Sequence, residues 1–209
     1  MKSIKVLSAL SLLALAGAAQ AEVTGSMGIA SSYLWRGLDL GSGTPAVSGD
    51  LKFSESGFYT GIWGSSGDTA NGTEYDLYAG YGGAAGAVTY DISYWTYSYP
   101  TGLGLKPFDL AEVVGSLGVG PVTASMYYNV ADPAGNDGDY KYYTLKAKFG
   151  AFTALLGQHD GGADDLSHFD LSYAYNDNLS FTISAPIDSD SGNEADPTFV
   201  ASYSVPFGK

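Results

Sequence analysis

The sequence predicts an all-β fold, a transmembrane up-and-down antiparallel β-barrel of twelve strands, and three observations lead there. Apolar residues recur with period two along nearly the whole chain after residue 22, the alternation of a pleated strand with two unlike faces. The connections between these runs are short and long by turns. Aromatic residues, 17 Tyr, 9 Phe and 3 Trp among 209 residues, gather toward the ends of the runs, where a membrane strand meets the headgroups.

The chain opens with Lys2 and Lys5, an apolar run from Val6 to Ala18, and the triplet Ala19-Gln20-Ala21. A basic start, a short apolar stretch and a small-x-small site read as a signal peptide over residues 1–21, leaving residues 22–209 as one barrel domain. The apolar run is shorter than the roughly 20 residues a helical anchor needs. Cysteine is absent, so no disulfide framework holds the domain and stability must come from burial or closed hydrogen bonding. Loss of Lys2 and Lys5 takes the formal charge from −13 to −15, which argues against nucleic acid as a partner.

Twelve segments read as strands: 23–36, 46–54, 58–65, 73–82, 87–98, 109–119, 121–130, 139–149, 151–158, 166–175, 179–185 and 198–207. In the second, Val47, Leu51 and Phe53 alternate with Ser48, Asp50 and Lys52. In the fourth, Tyr75, Leu77, Ala79 and Tyr81 interleave with Glu74, Asp76, Tyr78 and Gly80. In the tenth, Phe169, Leu171, Tyr173 and Tyr175 alternate with His168, Asp170 and Ser172. The third and ninth carry apolar groups on both faces, through Phe58/Ile62 with Tyr59/Trp63 and Phe152/Leu156 with Leu155. An even number of strands returns both termini to the same side of a membrane.

Glu55-Ser56-Gly57, Gly82 to Gly86, Gly118 to Pro121, Gly150 and Asn176-Asp177-Asn178 have the composition of tight turns. Between them lie longer links, Leu38 to Thr44, Ser66 to Gly72, Tyr99 to Phe108, Ala131 to Gly138, His159 to Asp165 and Pro186 to Asp196. Short turns on one side and long loops on the other are the habit of bacterial outer-membrane barrels. Two aromatic belts are expected. One, toward the long loops, takes Tyr33, Trp35, Trp63, Tyr75, Trp95, Tyr97, Tyr128, Tyr140 and Tyr142. The other, toward the turns, takes Phe53, Phe58, Tyr81, Tyr90, Phe149, Phe152, Tyr173, Tyr175, Tyr203 and Phe207.

Ser32-Tyr33-Leu34-Trp35-Arg36-Gly37, Pro45-Ala46-Val47, Glu55 to Gly64, Glu74 to Tyr81, Tyr90-Asp91-Ile92 and Tyr97-Ser98-Tyr99-Pro100 together resemble the opening half of the TorF family of porins. The resemblance runs to about residue 119; beyond it the strand rhythm alone continues. It implies an outer-membrane barrel of poorly defined substrate, with no catalytic residues to carry over. Barrels of this kind finish on an aromatic residue, whereas here Gly208-Lys209 follow Phe207.

Charged residues on the polar faces must avoid hydrocarbon, so Asp50, Glu74, Asp76, Asp91, Glu112 and Asp170, with Lys52, Lys146, Lys148 and His168, are expected to line the lumen. Arg36, read as closing the first strand at the mouth, is a constriction residue, a substrate clamp or the partner of a loop carboxylate. An acidic wall over 73–119 facing a basic strip at Lys146 and Lys148 suits a passive, mildly cation-favouring conduit for small hydrophilic solutes. A plugged barrel filled by ion pairs, acting structurally or as a surface binder, fits the same residues. Glu74, Asp76 and Glu112 are expected to concentrate cations at the mouth. Asp188, Asp190 and Glu194 present oxygen ligands at spaced positions, but the EF-hand pattern is broken and a solvated acidic loop reads better. Asp160, Asp164 and Asp165 in the preceding loop add to that acidic surface. The partners expected are outer-membrane lipid, lipopolysaccharide and small solutes. No cofactor is expected, and no enzyme either. His168 beside Asp170 and Ser172 makes no hydrolytic triad from spacing alone, and a lumen histidine bonded to its neighbours is the simpler assignment.

Overall fold

A computed structural model describes residues 21–135, 138–161, 165–188 and 196–208. The expected leader over residues 1–21 lies, but for Ala21, outside them. Twelve strands form a closed antiparallel barrel: β1 (Glu22–Ala30), β4 (Ala46–Glu55), β5 (Phe58–Asp68), β6 (Gly72–Ala85), β7 (Val88–Tyr99), β8 (Leu105–Val119), β9 (Val122–Ala131), β10 (Lys141–Phe149), β11 (Phe152–Asp160), β12 (Ser167–Ala174), β13 (Leu179–Asp188) and β14 (Thr198–Gly208). Each pairs with its sequence neighbour, and β1 closes the ring on β14, so no edge is left open. Two further strands of two residues, β2 (Leu34–Trp35) and β3 (Leu38–Asp39), pair only with each other.

The first strand is therefore shorter than the alternation predicts. It stops at Ala30, and Arg36 does not close it but sits between β2 and β3. Of the residues beyond Ala30, Leu34 and Trp35 pair with Asp39 and Leu38 of β3 and not with a barrel strand. Strands β5 to β8 run past their expected ends toward the long loops, so the links after β5 and β7 shrink to residues 69–71 and 100–104. Register irregularities at Ser65/Asp68, Tyr97/Tyr99, Ala111/Glu112 and Ser167/His168 all fall toward the long-loop rim, where bulges re-aim side chains. Pairing of Glu22 with Ser54 and of Thr24 with Gly208 puts both ends of the barrel chain at the short-turn rim.

One face of the sheet is apolar all the way round. Met27, Val47, Ile62, Ile92, Leu117, Leu145, Leu156, Ile183 and Phe199 are exposed and share the outer face through the register. Leu77, Ala79, Leu171 and Phe181 lie on the same face. Near the short turns this face carries packed rings, Phe58 on Tyr81 at 4.7 Å, Tyr81 on Tyr90 at 6.2 Å, Phe149 on Phe152 at 5.9 Å and Phe152 on Tyr173 at 5.0 Å. A substitution tests the assignment. Arginine at Leu171 would set a charge on the apolar face at a cost of about 2–4 kcal/mol if that face meets lipid. Leu171→Arg is expected to abolish the heat-modifiable folded band on a detergent gel, and Ser172→Arg, on the inner face, to retain it. The reverse pattern would mean that the facing is wrong by one residue.

The belt expected at the long-loop end is different. Only Tyr75 and Tyr128 lie on its outer face; Trp63, Trp95, Tyr97 and Tyr142 are inside by register. Tyr33 and Trp35 belong to the inserted segment, and the Tyr140 ring lies 5.8 Å from His159 in the lumen. Parity decides this, since Trp63 aligns with Asp76 and Trp95 with Glu112, both on the polar face.

Candidate functional site

The site begins with fifteen residues that could have bridged β1 and β4 by a tight turn, because Ala30 and Ala46 already pair. Instead, residues 31–45 fold back into the barrel. Asp39 organises the segment: its carboxylate accepts a bond from the Ser32 hydroxyl and from the N–H groups of Gly41 at 3.1 Å and Gly43 at 3.2 Å. A side chain that satisfies several local donors substitutes for secondary structure in a short loop. The base is pinned to the wall by Thr69 N–H, which donates to the Leu40 carbonyl at 3.1 Å.

Arg36 reaches across from the hairpin to β8. Its Nη1 and Nη2 donate to the two carboxylate oxygens of Glu112 at 2.9 and 2.6 Å, with side chains 9% and 4% exposed. This fork-to-fork geometry is the strongest an ion pair offers. Tyr97 donates to the same Glu112 at 2.6 Å. The guanidinium carbon also lies 4.6 Å from the ring of Trp35, 4.5 Å from Tyr127 and 4.9 Å from Tyr142, a set of cation–π contacts. The Arg36 carbonyl accepts from His159 Nε2 at 2.8 Å, which fixes the proton there; Nδ1 then accepts from Tyr140 at 3.0 Å, and Tyr140 accepts from Arg36 Nη1 at 3.1 Å. The ring of bonds closes on itself.

Gly37 brings the apex against the far wall. A Cβ built there would stand 2.4 Å from His168 Cγ, and its φ is +85°, so glycine is needed both for backbone and for space. His168 is fully buried, donating from Nδ1 to Asp170 at 2.9 Å and accepting from Tyr142 at 2.8 Å. The atom where a hydrolytic serine would stand is thus met by a phenol. Gly157 makes room for this pair, since its Cβ would fall 2.6 Å from Tyr142 Oη.

The remaining expected lumen residues lie on the same inner face. Glu74 accepts from Tyr33 of the hairpin at 2.6 Å and from Tyr99 at 2.7 Å. Asp76, 3% exposed, has an Oδ1 with no hydrogen-bond partner among the described residues. Deeper, Asp50 accepts from Tyr78 at 2.8 Å, Asp91 accepts from Tyr59 at 2.8 Å, and Lys52 Nζ lies 4.0 Å over the Tyr59 ring. Lys146 and Lys148 face inward toward the short turns and are exposed. Asp188 ends β13, opposite Ser167; Asp190 and Glu194 lie outside the described residues.

Burial along the lumen is lopsided. Glu74, Asp76, Glu112, Asn129, His159 and His168, near the long loops, are buried, whereas the inward lysines near the turns are open. Two cavities flank the hairpin. The outer, about 270 Å³, is lined by Arg36, Tyr99, Leu110, Asp132 and Tyr140; the inner, about 250 Å³, by Tyr33, Trp63, Glu74, Asp76, Trp95 and Tyr127. Trp35 and Tyr97 line both. Sequence reading missed Tyr97, Tyr99, Tyr140, Tyr142 and His159 as lumen residues, although parity with Glu112 and His168 carries the signal for Tyr97 and Tyr142.

No curated protein matches the chain. Among solved structures, the KdgM porin is similar with a TM-score of 0.47 and 10% identity over 89% of this chain and 98% of that one. A mutant of the Rh. blastica porin gives 0.47 and 17% over 90% and 73%. The outer membrane channel from Pseudomonas putida F1 gives 0.44 and 12% over 90% and 95%. The sequence pattern of one family, described as a bacterial protein of unknown function, Gcw_chp, matches residues 14–199. That match spans all but the chain's two ends, and the protein belongs to the Gcw_chp family.

Proposed function

We propose that this protein is a small outer-membrane porin in which the first long connection folds inward and narrows the lumen, so that only small hydrophilic solutes pass. The observation that carries this reading is the Arg36–Glu112 clamp, which holds a hairpin between two cavities that share Trp35 and Tyr97 as walls. Membrane insertion is supported by the apolar outer face and by closure, since an open edge in lipid leaves backbone groups unpaired at several kcal/mol each. The even strand count, the leader-like start and the resemblance to TorF-family porins favour the outer membrane.

Cation preference follows from what the clamp leaves over. Glu112 is neutralised by Arg36, so the field at the constriction rests on Glu74 and Asp76 where these are ionised, and the three carboxylates do not add as their sequence suggests. Planar-bilayer recording of the refolded protein in a salt gradient is expected to give a reversal potential on the cation side. Asp76→Asn is expected to move it toward zero. A second reading, a barrel closed by its plug and acting only as a structural or surface protein, is favoured by the same buried clamp. It predicts stable insertion with no conductance in the wild type.

A further inference from the structure

The inner cavity has a composition that the passage of small solutes does not require. All three tryptophans of the chain, Trp35, Trp63 and Trp95, line it together with Tyr33, Tyr97 and Tyr127. Two carboxylates, Glu74 and Asp76, complete the wall. Glu74 already accepts two phenolic bonds, but Asp76 Oδ1 is buried without a hydrogen-bond partner among the described residues. A carboxylate oxygen withdrawn from water and left unpaired is costly, and the cost is relieved by a proton, a hydrogen-bond donor or a bound cation. The strongest hydrogen-bonding cations on hand are committed elsewhere. Arg36 is spent on Glu112, and Lys52 lies over Tyr59 one layer deeper.

Tryptophan faces beside a carboxylate recognise a particular kind of cation. The ring quadrupole attracts positive charge spread over an apolar surface, and the methyl groups of an alkylated ammonium keep the rings in contact where a hydrated metal ion would hold them off. The same ring cluster already receives a diffuse organic cation, because the Arg36 guanidinium lies on one side of Trp35 and Tyr127. The cavity, about 250 Å³, opens against these two rings and four others, with room for a small methylated ammonium head.

We infer that the inner cavity is a binding site for a small alkylated ammonium ion, its charge facing Asp76 and its methyl groups facing Trp63 and Trp95. This deepens the channel reading, naming the class of solute held at the constriction, and rests on it for transport though not for binding. A solute so held would pass slowly at saturating concentration and would block the passage of simple salts.

Tryptophan emission of the refolded protein in detergent micelles, titrated with choline and with its uncharged isostere 3,3-dimethylbutanol, tests the inference. Choline is expected to change the emission saturably, and the isostere to need a far higher concentration. Asp76→Asn is expected to weaken choline binding about tenfold or more while leaving the isostere unaffected, and Trp63→Leu to weaken it as well. Heat-modifiable migration of each variant establishes that it is folded, and isothermal calorimetry on the wild type supplies a reading that does not depend on the fluorophores. Equal affinity for choline and the isostere, no saturable response in either measurement, or folded Asp76→Asn binding choline as the wild type does would each overturn the inference. Choline bound in micelles without conductance in a bilayer would leave the site in place and remove the channel reading instead.

Discussion

Replacing Arg36 with alanine is expected to raise the single-channel conductance of the refolded barrel several-fold and to make the current noisier. The substitution removes both bonds to Glu112, the bond to Tyr140 and the cation–π contacts that hold the apex. It also strands Glu112, 4% exposed at its side chain, and an uncompensated buried charge costs about 3–5 kcal/mol. The cheapest way to rehydrate that carboxylate is to let the hairpin swing away, since β2 and β3 pair over only two residues each. The barrel itself is unaffected, because its ladder does not pass through the hairpin. Replacing both partners, Arg36→Met with Glu112→Leu, is expected to restore most of the closed state, because it removes the stranded charge as well as the bond. Recording wild type, single and double variants side by side checks this. Equal conductance in all of them would mean that the clamp does not govern the passage.

The second large effect is expected at the apex. Gly37→Ala sets a Cβ 2.4 Å from the His168 ring, on a backbone with φ +85°. The left-handed conformation alone costs a non-glycine residue about 1–2 kcal/mol, and His168 cannot retreat without losing Tyr142 or Asp170. The hairpin is the softer partner, so it gives way. The conductance of Gly37→Ala is thus expected to resemble that of Arg36→Ala, although no charge has changed. Gly43→Ala is the contrast, because its Cβ meets nothing within 4 Å although φ is +74°. It is expected to cost backbone strain without opening the lumen. If Gly37→Ala conducts as the wild type does, the apex does not seal against His168.

The barrel was legible because its signals are local. Period-two runs such as Tyr75 to Tyr81 and turn residues such as Ser56-Gly57 need no distant partner to be read, and each of the twelve segments overlaps one barrel strand. The inner face of Asp50, Glu74 and Asp170 follows from the same parity. The hairpin was not legible, because what defines it lies far along the chain. Arg36 meets Glu112 across 76 positions and His159 across 123, and the apolar run Tyr33-Leu34-Trp35 follows closely on the first strand with no glycine or proline to mark a break. The aromatic belt differs for another reason: residue type alone makes Trp63, Trp95 and Tyr97 interfacial rings, whereas their parity puts them with Asp76 and Glu112 inside. Trp35 and Tyr33 could be assigned to the lumen only with the hairpin itself.

If the first connection narrows the lumen, removing it widens the passage without unmaking the barrel. Register makes a clean test possible, since Ala30 and Ala46 are already paired and a short glycine-serine link can join them in place of Ser31 to Pro45. Single-channel conductance of that shortened barrel, measured in the same bilayer and salt as the full chain, reads the claim directly. A heat-modifiable, inserted barrel with conductance several-fold above the full chain is the predicted result; a folded, inserted barrel with unchanged conductance would contradict it.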